Sequence, residues 1–131
     1  AGMSGKLILI KKRPDFLHVT RNGYKAVRSG FVLQAAVSRR SFPAAVYRIG
    51  YTASKKIGNA VCRNRAKRRL RAVCRELMPL EAVIGCDYVI IARHATLDIP
   101  YKKLYKELKF ALTEIKQELN DSLILSGKSN K

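Results

Sequence analysis

Acidic residues are scarce: nine Asp and Glu stand against 27 Lys and Arg, which leaves a formal net charge of +18 in 131 residues. The scarcity is also uneven. Between Phe16 and Arg75 there are fifteen bases and no acid, whereas from Glu76 to Lys131 there are eight of each. A surface built to hold a polyanion is therefore expected before Glu76. Histidine is nearly absent, and His18 and His94 are far apart in the chain. Phosphodiester hydrolysis by side chains needs a base, a metal cluster or a paired acid and base within hydrogen-bond reach, and no such constellation can be read here, so no catalytic residue and no metal ligand is expected. Cys62, Cys74 and Cys86 are odd in number and form no Cys-x-x-Cys pair, which argues against a disulfide framework or a zinc site and fits a reducing cytoplasm. No apolar run approaches the roughly 20 residues of a membrane span, and Lys6-Leu7-Ile8-Leu9-Ile10 is too short for the apolar region of a signal peptide. The expectation is a cytosolic chain without a membrane partner. Ala1-Gly2 before Met3 reads as an expression scar. The length suits one domain with one modest core.

What the chain does have is concentrated in Ser54-Lys55-Lys56-Ile57-Gly58-Asn59-Ala60-Val61-Cys62-Arg63-Asn64-Arg65-Ala66-Lys67-Arg68-Arg69-Leu70-Arg71. Asn59 follows the helix-breaking Gly58 and can cap a helix, because its side-chain oxygen can accept from the free amides of the first turn. The spacing predicts a helix over 59–77, stopped at Met78-Pro79. At roughly 100° per residue, Cys62, Ala66, Leu70, Val73 and Leu77 fall in one narrow arc that can sit on a core. The opposite arc holds Asn64, Arg65, Lys67, Arg68, Arg69, Arg71 and Arg75, with Arg63 at the apolar edge. A charged helix face can be merely solvated, but such faces mix signs, since like charges three or four residues apart repel by roughly 0.2 to 0.5 kcal/mol per pair. The first acid after this run is Glu76, so an external polyphosphate is the simplest account of the clustering.

Around this helix the pattern is mixed. Residues 11–16 lead into a short helix, with Pro14 and Asp15 suited to its first turn and Gly23 ending it. Strands are predicted at 24–28, 31–37 and 47–52, with Pro43 in a hairpin connection between the last two. Along the second strand Phe31, Leu33, Ala35 and Val37 share one apolar parity, so Gln34 lies on the other face. The apolar run 87–92 reads as a central strand covered on both faces, followed by Arg93-His94, which could touch RNA but read better as loop. Residues 101–119 repeat Leu104, Leu108, Ala111, Leu112, Ile115 and Leu119 at helical spacing. Residues 120–131 are polar and read as a frayed tail.

The motif from Ser54 to Val61, followed by Arg63-Asn64-Arg65 and Lys67-Arg68, resembles the RNR motif of the protein subunit of bacterial ribonuclease P. Weaker similarity runs from about Lys11 to Leu119. The resemblance implies an α+β sandwich of order α-β-β-β-α-β-α, like the second domain of ribosomal protein S5, with a left-handed β-α-β crossover where general statistics favour a right-handed one. The domain is expected over 11–119, with 1–10 an N-terminal extension. The implied function is that of an accessory subunit: the catalytic RNA cleaves precursor tRNA, and the protein binds that RNA and the 5′ leader. Lys55, Lys56, Asn59, Arg63, Asn64, Arg65, Lys67, Arg68 and Arg71 are the residues for the catalytic RNA. Phe16, Thr20 and Gln34 would line the leader cleft between the first helix and the sheet. Thr20 and Gln34 stand where the family commonly has aromatics, and Phe16 also fits a plain core role, as Gln34 fits the open side of a sheet. No cofactor is expected on the protein; Mg²⁺ is implied through the RNA, in the cytoplasm, with no protein partner required. A ribosomal or general RNA-chaperone protein would explain the charge but not the motif. A DNA-binding regulator would need a recognition helix backed by a second helix, where this one has strands as neighbours.

Overall fold

The computed structural model describes residues 6–42 and 45–126. The reading of Ala1-Gly2 as a scar, and the placing of Pro43, lie outside them. The order of elements is β1 (Lys6–Leu9), α1 (Arg13–Asn22), β2 (Tyr24–Val27), β3 (Phe31–Val37), β4 (Val46–Thr52), α2 (Ala60–Glu81), β5 (Cys86–Ala92) and α3 (Tyr101–Ser126), with 3₁₀ turns at Lys55–Ile57 and His94–Leu97. The strands form a five-stranded mixed sheet of order β1-β4-β5-β3-β2. The fold is α+β, and β5 is central, as its unbroken apolar run demands: it pairs parallel with β4 and antiparallel with β3.

Alternation along the strands assigns the two faces. Phe31, Leu33 and Ala35 of β3, Ile49 of β4, and Tyr88 and Ile90 of β5 point to one side. There they meet Ala66, Leu70, Val73 and Leu77 of α2 and Leu104, Leu108, Leu112 and Ile115 of α3 in the main core. The other parity turns to α1, where Ile10, Val19 and Val89 form a much smaller buried cluster with Phe16 and Ile91 packed on it. The polar part of that face is built on Arg48. Its guanidinium donates to both Asp87 carboxylate oxygens at 2.8 and 2.5 Å and to Asp15 Oδ2 at 3.2 Å. Arg40 donates to Asp15 Oδ1 at 3.1 Å, and Arg39 lies 3.3 Å from the same oxygen. Asp15 is therefore a buried anchor of α1 as well as an acid in its first turn.

Five expectations need correction. Residues 6–9, assigned to an extension, are an edge strand paired parallel with β4. The loop after β3 is not a hairpin connection, because β5 sits between β3 and β4. Pro79 does not stop α2 but lies inside it; Pro79 removes one backbone donor near the helix end, and the Ala82 amide still reaches Met78 O at 2.9 Å. Residues 120–126 continue α3 rather than fraying, and Leu123 packs on the main core. The stretch after β5 is not plain loop: the Thr96 hydroxyl accepts from the Arg93 amide at 2.9 Å at the start of a 3₁₀ turn, and the Arg93 guanidinium donates to Arg28 O at 2.9 Å.

Candidate nucleic-acid interface

The basic helix is built as its sequence requires. The Asn59 side chain accepts from the Cys62 amide at 3.0 Å, which closes the first turn. Before it, the Ser54 hydroxyl accepts from the Lys56 amide at 3.3 Å and Ile57 is buried, so Lys55 and Lys56 are held on a short exposed 3₁₀ turn. Gly58 has φ of 142°, a conformation that side chains rarely tolerate, and it redirects the chain from this turn into α2. Ala66, Leu70 and Val73 are fully buried beneath α2. The charges above therefore stand on a rigid support.

Asn64, Arg65, Lys67, Arg68 and Arg71 line a shallow depression of about 360 Å³ together with the exposed Val61. Arg71 also lies over the Tyr51 ring at 5.3 Å from its centre, which fixes the direction of its guanidinium. Among the described residues, the salt bridges of the chain involve Arg28, Arg39, Arg40, Arg48 and Lys116, and none reaches Lys55, Lys56, Arg63, Arg65, Lys67, Arg68 or Arg71. Uncompensated cations on one helix repel one another and attract phosphate. Arg69 is the exception within the predicted arc. It donates to Thr96 O at 2.7 Å and to Ile99 O at 2.6 Å, so it ties α2 to the turn before α3 and is not available to a ligand.

The second surface lies on the opposite face of the sheet. Phe16 is half-buried, with its edge in the small cluster. Its ring rests directly on Gly50: a Cβ there would come within 2.5 Å of Phe16 Cε1. A glycine in mid-strand is the sequence signal for this close approach. Thr20, one turn on, is exposed and its hydroxyl donates back to Leu17 O at 3.2 Å. Gln34 is buried rather than on an open face, beside Val89 in the strand register, and its Oε1 has no hydrogen-bond partner. Half-buried Val32, Thr52 and Ile91 extend this face beyond α1. The structure thus places Phe16 and Gln34 around Val89, with Thr20 at the rim.

Among the described residues, no three of His, Cys, Asp and Glu come together as metal ligands. Asp15 and Asp87 are held by Arg48, and His18 Nε2 lies 3.0 Å from Val37 O. No described helix is long and apolar enough to cross a membrane.

The family model for Ribonuclease P matches residues 5–116, most of the chain. This chain belongs to the Ribonuclease P family. It is 45% identical over 114 residues to the ribonuclease P protein component of Paramagnetospirillum magneticum, covering 86% of each. It is 41% identical over 110 residues to that of Gluconacetobacter diazotrophicus, covering 84% of this chain and 92% of the relative. The solved RNase P protein of Staphylococcus aureus superposes with a TM-score of 0.66 at 27% identity, over 81% of this chain and 93% of that one. The RNase P protein of Thermotoga maritima, at 24% identity and TM-score 0.63 over 84% and 96%, shares the fold. The general RNA-chaperone reading gains no support from these relatives.

Proposed function

We propose that this chain serves as the protein component of a cytoplasmic ribonuclease P, in which an RNA subunit carries out cleavage and the protein supplies affinity and placement. The observation that carries the proposal is the exposed face of α2, where Lys67, Arg68, Arg65, Arg71 and Asn64 meet around one depression without an acidic partner among the described residues. A face of this kind neutralises several phosphates at once and releases their counterions. Asn59 acts on the same interface indirectly, by fixing the first turn.

Precursor tRNA is the substrate this reading assigns, and its 5′ leader would lie across the other face, over Phe16. The half-exposed ring is available for stacking on a base, and the buried, unpaired Gln34 Oε1 is an acceptor that a donor entering the groove can satisfy. Thr20 adds a small polar rim where a second aromatic would add stacking area. Mg²⁺ belongs to the holoenzyme and would be held mainly by the RNA; the protein's own residues bind and orient. The test is reconstitution. The purified protein alone leaves precursor tRNA intact, and with the RNA subunit and Mg²⁺ it supports cleavage at the mature 5′ end. Metal-dependent cleavage by a rigorously RNA-free preparation overturns the proposal.

A further inference from the structure

The eight acids and eight bases after Arg75 cancel in sum but not in space. On α3, Glu107 faces the turn between β2 and β3, accepting from the Ser29 hydroxyl at 2.6 Å and the Gly30 amide at 3.1 Å, and Glu114 pairs with Arg28. Three of the lysines face away from these acids, while Lys103 also reaches the side of Ser29. Lys102, Lys106 and Lys109 are exposed at three- and four-residue spacing along a groove of about 950 Å³ between α2 and α3, a row of like charges with the same uncompensated repulsion as α2. Aromatic rings are interleaved with them: Phe110 is 63% exposed and Tyr101 is 39% exposed. Glu76, the acid in this groove, accepts a hydrogen bond from the Tyr101 hydroxyl and marks one end of it. It follows the exposed Arg75 in the sequence.

We infer that this groove is a second nucleic-acid surface that takes a single-stranded RNA segment, its bases stacked on Phe110 and its phosphates on Lys102, Lys106 and Lys109. The alternation of flat rings and cations matches the alternation of base and phosphate, and a stacking platform is tolerant of sequence. A duplex keeps its bases within its own stack and cannot present them to Phe110. An apolar protein partner would have to bury the lysines between the rings. The inference rests on the reading of the chain as RNA-binding, but the test uses the protein alone, so a failed cleavage reconstitution and a failed groove are told apart.

The chain has no tryptophan, so Phe110→Trp places a sole indole in the groove at an exposed position that folding does not depend on. Titration with a short single-stranded oligoribonucleotide should quench its emission to saturation. Duplex RNA of equal charge and a polyglutamate peptide should leave it unchanged. Adding Lys102→Glu and Lys106→Glu should shift the quenching midpoint upward by about tenfold or more, since two phosphate contacts are lost and reversed. Unchanged emission while fluorescence anisotropy shows the labelled oligonucleotide bound would overturn the inference. Equal quenching by the duplex or by polyglutamate would overturn it too.

Discussion

The two faces of the sheet are closed by different chemistry. Under α2 and α3 the contacts are dry: Leu70, Leu77, Leu104, Leu108 and Leu112 are all essentially inaccessible, and each such side chain stabilises by roughly 1.5 to 3 kcal/mol relative to exposure. Under α1 the apolar part shrinks to Ile10, Val19 and Val89, and the Asp15–Arg48–Asp87 network does much of the fastening. Ion pairs of this kind are weak as net stabilisers, because desolvation opposes attraction, but they are strict about geometry. The difference assigns two tasks. The apolar face holds a charged helix rigid from below, and the polar face sets the position of α1 while leaving Phe16 partly open.

Salt should separate the faces most strongly. If roughly 6 to 10 phosphates are contacted, association with the RNA subunit should fall on the order of 10³ to 10⁵-fold between ~50 and ~200 mM salt, by analogy with duplex DNA. Arg65→Ala with Arg68→Ala should flatten that slope while leaving the preference for precursor over mature tRNA nearly unchanged. A slope already flat in the unmodified protein would remove α2 as the interface.

Next in size is Arg48→Met, which leaves Asp15 and Asp87 buried without their shared cation and should cost about 3 to 5 kcal/mol in urea unfolding. The network also has a pH limb. Burial alone pushes the Asp15 carboxyl up, and hydrogen bonds and charge from Arg48 and Arg40 outweigh it, so its pKa lies below the ordinary value. A carboxyl lowered in the folded state contributes stability that is complete above its unfolded pKa of about 3.9 and is lost as pH falls through the folded one. Asp15→Asn should therefore lose most stability at neutral pH, with the gap to the unmodified protein narrowing only below about pH 4 and closing once the pH has fallen below the folded-state pKa. Parallel curves across the acid range would show that Asp15 does not carry the limb.

Arg69→Ala tests whether position on α2 or charge alone matters. It removes two hydrogen bonds to backbone carbonyls and should cost about 2 kcal/mol of stability, with RNA affinity hardly moved. An affinity loss as large as that of Arg68→Ala would put Arg69 back in the interface.

The smallest effect is expected from Phe16→Ala. Loss of one base stack costs roughly 1 to 3 kcal/mol of precursor binding, and with Thr20 at the rim and Gln34 buried the low end is expected. Precursor and mature tRNA affinities, measured beside the melting temperature, decide the case. A large stability loss with an unchanged affinity ratio makes Phe16 a core residue.

Local rules carried the reading of the sequence where one element suffices. The cap at Asn59, the buried stripe of α2 and the central β5 all follow from spacing or from an unbroken apolar run. What was hidden depends on partners distant in sequence. Residues 6–9 are four residues on a parallel edge, paired with a strand about forty positions away, and no local pattern announces that. A helical wheel gave Arg69 its direction but not the two carbonyls waiting there. Gln34 was assigned to the correct parity, but its burial depends on how α1 lies across the sheet. Arg48 did carry a signal, because a cation in the middle of an apolar strand demands a carboxylate. The balanced charge after Arg75 concealed a segregation that only the rotation of α3 reveals.

The unpartnered face of α2 has a consequence for folding itself. With no ligand, its cations repel one another across a single helix face, so the native state of the free protein carries a strain that unfolding relieves by moving the charges apart. Added salt screens that repulsion and also dissolves the complex. The free chain should melt at a higher temperature as salt rises, while the assembled particle comes apart, so one ion concentration pulls the protein's own stability and its assembly in opposite directions.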